Sequence, residues 1–191
     1  LFSFHKLVMY QDLIDNVDTI IEHPLIGALA GVTPPPAAGD SLPVAGELDR
    51  LDPKEVFQVL DADSSQQLCI QYALAGQSFV MHGPPGTGKS QTIANMIGEF
   101  IARGKSVLFV SEKMAALEVV YNRLKARNLD DYCLELHSHK ANKREVVAEL
   151  SRSLNEHLKA RGSMTDEELE RLIARRDQLN DYVRALHTRR E

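Results

Sequence analysis

The chain has no tryptophan, and aromatic residues make up only 6% of it, so a stacking platform for single-stranded nucleic acid is not visible. It has two cysteines, Cys69 and Cys133, far apart and outside any C-x-x-C pair. That excludes a disulfide framework and a cysteine-based zinc site, and leaves two reduced, mostly buried thiols of a cytoplasmic protein as the expectation. Cys133 with His137 and His139 lacks a fourth ligand at metal-like spacing. No apolar run approaches a membrane span and no secretory pattern opens the chain, so no membrane role is expected. The first residue is Leu1 rather than methionine, as expected of a fragment or trimmed chain. Seven scattered histidines define no triad, and no serine sits in a nucleophile elbow.

An excess of positive charge is also missing. The net charge is −5, which argues against binding nucleic acid by bulk electrostatics alone. The charge is uneven. Residues 1–60 carry a net −6, residues 61–139 a net −1 and residues 140–191 a net +2. A local groove that grips one strand remains compatible with that distribution.

What the chain does have is Gly83-Pro84-Pro85-Gly86-Thr87-Gly88-Lys89-Ser90, a complete G-x-x-x-x-G-K-[ST] phosphate-binding pattern. Each fixed position has a job. The glycines permit tight backbone geometry, so that the amides from Gly86 to Ser90 can turn inward on a phosphate. Lys89 supplies a mobile charge for the β- and γ-phosphates, and the Ser90 hydroxyl one ligand to Mg²⁺. The following helix adds the positive end of its dipole. A chance match in a chain of this length is on the order of one in a hundred.

The surroundings predict β-α-β-α-β. Ser78–Met81, Ser106–Val110 and Tyr132–Leu136 are short apolar runs expected of buried strands. Helices are expected from Ser64, as its N-cap, to Ala75, from Gln91 to Arg103 and from Met114 to Arg127, stopped by Gly76, Gly104 and Asn128. The expected fold is therefore α/β, a P-loop NTPase domain with a parallel sheet. A helical extension (residues 1–30) and a Pro/Gly-rich linker (31–59) precede the partial P-loop domain (60–140). A helical hairpin (141–191) follows, its second helix announced by a Thr165/Glu168 capping box. The hairpin either packs on a core or projects toward nucleic acid or a protein partner.

Several motifs in order carry a resemblance. They are Asp63-Ser64-Ser65-Gln66, the stretch from Ser78 through the phosphate loop to Gln91-Thr92-Ile93, Gly104 through Lys113, Ala115-Ala116-Leu117, and Leu136-His137-Ser138. Over about half its length the chain resembles the first motor domain of superfamily 1 helicases, in a bacterial branch related to the RNA-decay helicases. The resemblance implies an ATP- and Mg²⁺-using enzyme that acts on single-stranded DNA or RNA. It implies that Gln66, or its neighbour Gln67, reads the adenine edge, and that Gly83, Pro84, Pro85, Gly86, Thr87, Gly88, Lys89, Ser90 and Gln91 hold the nucleotide. Lys89 and Ser90 are then the catalytic pair, with Ser90 also on the metal. Ser111, Lys113, His137 and Ser138 are expected near a nucleic-acid strand.

One departure is large. The family's Asp-Glu pair at the end of a further strand is missing: Ser111 stands where the Asp would be in Val107–Glu112, and Asp130 and Asp131 precede their run. The chain by itself is therefore expected to bind ATP without complete hydrolytic machinery. Another P-loop ATPase, such as an AAA-type remodeller or switch, and a non-catalytic nucleotide-binding module remain the alternatives.

Overall fold

The computed structural model describes residues 5–34, 45–136, 146–148, 150–151 and 164–188. The chain divides into two compact units, Leu1–Leu42 and Pro43–Glu191. The first holds three short helices, α1 (His5–Asp15), α2 (Val17–Glu22) and α3 (Pro24–Leu29). Pro24 stands at the start of α3, where its missing N–H costs nothing.

The second unit carries α4 (Ala45–Leu48), a 3₁₀ turn (Pro53–Glu55), α5 (Ser64–Leu74), α6 (Lys89–Ala102), α7 (Met114–Lys125), a second 3₁₀ turn (Asp130–Tyr132) and α8 (Asp166–His187). Residues 146–148 and 150–151 are also helical. The core lies between α6 and α7, where Ala94 and Ile97 meet Val120 and Leu124. Leu60, Ile101, Phe109 and Cys133 pack around that cluster, and α5, which buries Ile70, lies against α6.

Local chemistry accounts for the helix ends. Asp63, not Ser64, caps α5: its carboxylate accepts from the Gln66 amide while the Gln66 side chain accepts from the Asp63 amide. Thr165 and Glu168 form the same reciprocal box at the start of α8. The ends of α5, α6 and α7 share one device. Gly76, Gly104 and Asn128 all adopt positive φ, and the next residue's N–H reaches back five positions to an orphan carbonyl.

The expected parallel sheet is overturned. Among the described residues there is no β-strand. Ser78–Met81, Ser106–Val110 and Tyr132–Leu136 lie outside regular strand structure, apart from Tyr132 in a 3₁₀ turn. Val80 is 78% exposed, Leu108 87% and Val110 74%, so these runs are not the buried strands their composition suggests. The physical reason is that a strand exists by pairing. Apolar, β-branched runs register a preference for burial and extension, but no local signal supplies the neighbouring ladder. Only part of each run is packed: Phe109 and Cys133 reach the core, and Phe79 meets Tyr72 edge-to-face at 6.0 Å.

Of the expected hairpin, α8 is present, while most of the residues expected to form its first helix lie outside the described residues. No described helix is long and apolar enough to cross a membrane.

Candidate nucleotide site

The phosphate loop leads straight into α6, with Gly88 as its N-cap in the left-handed region (φ 77°). Gly86 is also left-handed, at φ 89°. These two angles are what L side chains avoid, and they turn the chain so that α6 begins at Lys89. A Cβ on Gly88 would stand 2.3 Å from the Gln66 Nε2, and one on Gly83 would stand 2.5 Å from the Thr87 hydroxyl. The loop is therefore glycine-bound by contact as well as by conformation.

Its polar groups are internally engaged. The Thr87 hydroxyl donates to the Pro84 carbonyl at 2.9 Å. The Lys89 ammonium folds back onto the loop, donating to the carbonyls of Gly83 at 2.6 Å and Pro84 at 2.7 Å. Ser90 follows, half-buried, in the first turn of α6. First-turn amides of a helix have no acceptor a full turn earlier; here Gln91 donates to the Gly88 carbonyl at 2.8 Å, so it is the Lys89 and Ser90 end that presents N–H donors and a partial positive charge. A polyphosphate fits such a site: donors at the helix end, a flexible cation resting on exchangeable carbonyls, and no Cβ at Gly86 or Gly88 to obstruct approach.

Gln66 is brought to the same place. Its Nε2 donates to the Thr87 carbonyl at 3.1 Å, so α5 and the phosphate loop touch through this side chain. Its Oε1 accepts from Asp63 at 3.3 Å within the capping box. A carboxamide offers two N–H groups and two lone pairs, and one of each remains for a base edge. Gln67 is turned elsewhere, donating to the Gln58 side chain. Gln91 donates to the Asp61 carbonyl, just ahead of the α5 cap.

Cys69 lies one turn along α5 from Gln66. Burial pushes its thiol pKa up, and the Asp63 charge adds to the shift. The thiolate is disfavoured, so alkylation by iodoacetamide at pH 8 is expected to run several-fold slower than that of a free cysteine. Peptide mass spectrometry at timed intervals reads this directly. Asp63→Asn keeps a capping side chain and removes only the lesser cause, so it should restore part of the rate.

Ser111 and Lys113 are held by each other. The Lys113 amide donates to the Ser111 hydroxyl, which in turn donates to the Lys113 carbonyl, both at 3.3 Å, and Lys113 is the exposed N-cap of α7. His137 and Ser138 lie outside the described residues.

Sequence reasoning missed a row of polar side chains running along α6 to its C-cap, Arg103; of its four members only Gln91 was singled out, and for the nucleotide. Gln91, Asn95, Glu99 and Arg103 recur every fourth residue and all reach the backbone of residues 55–61. Asn95 is fully buried. Its Oδ1 accepts from Val59 at 3.0 Å and Leu60 at 2.8 Å, and its Nδ2 donates to the Leu60 carbonyl at 3.0 Å. Glu99 accepts from the Phe57 amide at 2.8 Å and pairs with Arg103, which donates to the Glu55 carbonyl at 2.7 Å and lies over the Phe57 ring. The available signal was four polar residues at spacing four on a helix otherwise rich in Ile, Ala, Met and Phe.

A family model described as an AAA domain matches residues 61–190, about two-thirds of the chain. The chain belongs to this family. The AAA domain match begins at Asp61, whose carbonyl accepts from Gln91, and includes both Gln66 and the phosphate loop. Among curated relatives, an uncharacterized ATP-dependent helicase of Mycoplasma genitalium is 46% identical over 76 residues, 40% of this chain and 7% of that protein. The DNA polymerase alpha-associated DNA helicase A of Schizosaccharomyces pombe is 27% identical over 70 residues, 36% of this chain and 11% of that protein. The DNA-binding protein SMUBP-2 of Rattus norvegicus is 33% identical over 73 residues, 38% of this chain and 7% of that protein. The matched stretches thus span about a tenth or less of these relatives. No solved structure gives a significant match.

Proposed function

We propose that this chain is the ATP-binding part of a nucleic-acid-dependent ATPase of the superfamily 1 helicase kind, coupling hydrolysis to movement along, or separation of, a strand. The observation that carries the reading is the docking of Gln66 on the phosphate loop. One side chain joins a base-reading amide to a phosphate cradle, as ATP requires. In this reading the loop amides and Lys89 hold the triphosphate, and Gln66 offers its free N–H and lone pair to adenine. Ser90 would lend its hydroxyl to Mg²⁺, and among the described residues no cluster of acidic, histidine or cysteine side chains forms a cage for a metal. When bound, the ion would supply neutralisation of phosphate charge.

The names of the relatives support this assignment, and the three given above are all helicases or DNA-binding proteins. Ser111 and Lys113 are the proposed strand contacts, and α8 is a proposed protein-docking element. The reduced thiols fit a cytoplasmic setting.

ATP turnover of the full-length protein, measured alone and with single-stranded DNA or RNA, tests the reading. Stimulation by a strand of at least tenfold is expected, and Lys89→Ala should abolish it. Stimulation by a protein client with none by either nucleic acid would reassign the site to an AAA-type remodeller, and binding without turnover to a non-catalytic module.

A further inference from the structure

The row on α6 does more than pack a loop. Residues 55–61 run antiparallel to α6 and are gripped at four successive turns: Arg103 at Glu55, Glu99 at Phe57, Asn95 at Val59 and Leu60, Gln91 at Asp61. Gly98 lets the strap lie close, since a Cβ there would stand 3.0 Å from the Val59 side chain. Beyond Asp61 the chain passes directly into Asp63, whose capping box orients Gln66. The helix that starts at the phosphate loop thus also fixes where the Gln66 amide stands.

We propose that Asn95 is a positioning residue for base selection: by holding the 55–61 strap on α6 it sets Gln66 against the phosphate loop, and so determines preference for adenine over other bases. This inference rests on the nucleotide reading above. Asn95 lies between one and two turns beyond the loop, and its side chain is turned to the strap. It is also the rung with the most bonds to the strap, two accepted and one donated, against one from Arg103, and it is wholly removed from water. With three backbone groups satisfied by one side chain, truncation frees the strap where it is best held.

The measurement is binding of Mg²⁺-ATP, Mg²⁺-GTP and Mg²⁺-tripolyphosphate to the full chain, for the wild type, Asn95→Ala and Asn95→Asp. Wild type is expected to favour ATP over GTP by about tenfold, the worth of one or two hydrogen bonds to the base. Asn95→Ala should cut that preference to about twofold while leaving tripolyphosphate affinity within about twofold, because the loop and Lys89 are untouched. Asn95→Asp keeps the volume and both accepted bonds but loses the donor to Leu60, and should fall between. It also serves where the alanine variant does not fold.

A variant that folds and keeps the full ATP-to-GTP ratio overturns the proposal. So does equal loss for all three ligands, which marks a merely structural role. If the wild type binds neither ATP nor tripolyphosphate, the nucleotide reading itself falls, and the inference with it.

Discussion

Replacing Lys89 with alanine should remove measurable Mg²⁺-ATP binding, lowering affinity by a hundredfold or more, while leaving thermal stability almost unchanged. The two halves of that expectation have different origins. In the nucleotide complex the ammonium would make two charge-assisted hydrogen bonds to phosphate oxygens, each worth about 1.5–3 kcal/mol. Together these amount to about 3–6 kcal/mol, or two to four orders of magnitude in affinity. Without nucleotide the same ammonium rests on the Gly83 and Pro84 carbonyls at a partly exposed loop, where water replaces it at little cost. Calorimetric titration reads the first effect and a melting curve the second. A variant that bound ATP normally would remove Lys89 from the site, and one that melted far below the wild type would make it a structural residue.

Arg103→Ala is expected to have the largest effect on stability. The Glu99 side chain is only 1% exposed, whereas Arg103 is 29% exposed. Removing the arginine leaves a buried carboxylate whose one remaining partner among the described residues is the Phe57 amide. It also deletes the bond to Glu55 and the contact over the Phe57 ring. Breaking a buried pair from one side costs about 3–5 kcal/mol, and the melting temperature should fall by roughly 10 °C. Glu99→Ala leaves behind a guanidinium that can reach water, so its cost should be smaller, about 2 kcal/mol. The double variant should lose less than the sum, since the orphaned charge is then absent. If Glu99→Ala proved the more damaging, burial would not be what sets the energetics of this pair.

The phosphate loop was legible because its function demands specific residue types in consecutive positions. The helices were legible for a related reason: Gly76, Gly104 and Asn128 stop α5, α6 and α7 by local backbone chemistry, and Thr165 with Glu168 starts α8. The sheet was not. Val107, Leu108 and Val110 carry strand preferences, yet the ladder that makes a strand is a non-local object, and none forms among the described residues. The Asp63 cap was assigned one residue late, to Ser64, because both types cap well and only the geometry chooses between them. Asn95, Glu99 and Arg103 escaped notice since polar residues on a helix ordinarily read as a solvated face. Only burial shows that their partners are main-chain groups some forty residues away.

The four-residue rhythm of that row carries a consequence for how this stretch can change over time. Gln91 and Asn95 each depend on their own side chain, and Glu99 and Arg103 on each other as well, so a single substitution damages the grip locally. Length is another matter. One residue inserted into α6 between Gln91 and Asn95 turns everything beyond it by about 100° around the axis and lifts it by about 1.5 Å. Three rungs would then point away from the strap together. This segment should therefore tolerate a change of residue more readily than a change of spacing, and gaps should be rarer within residues 91–103 than substitutions.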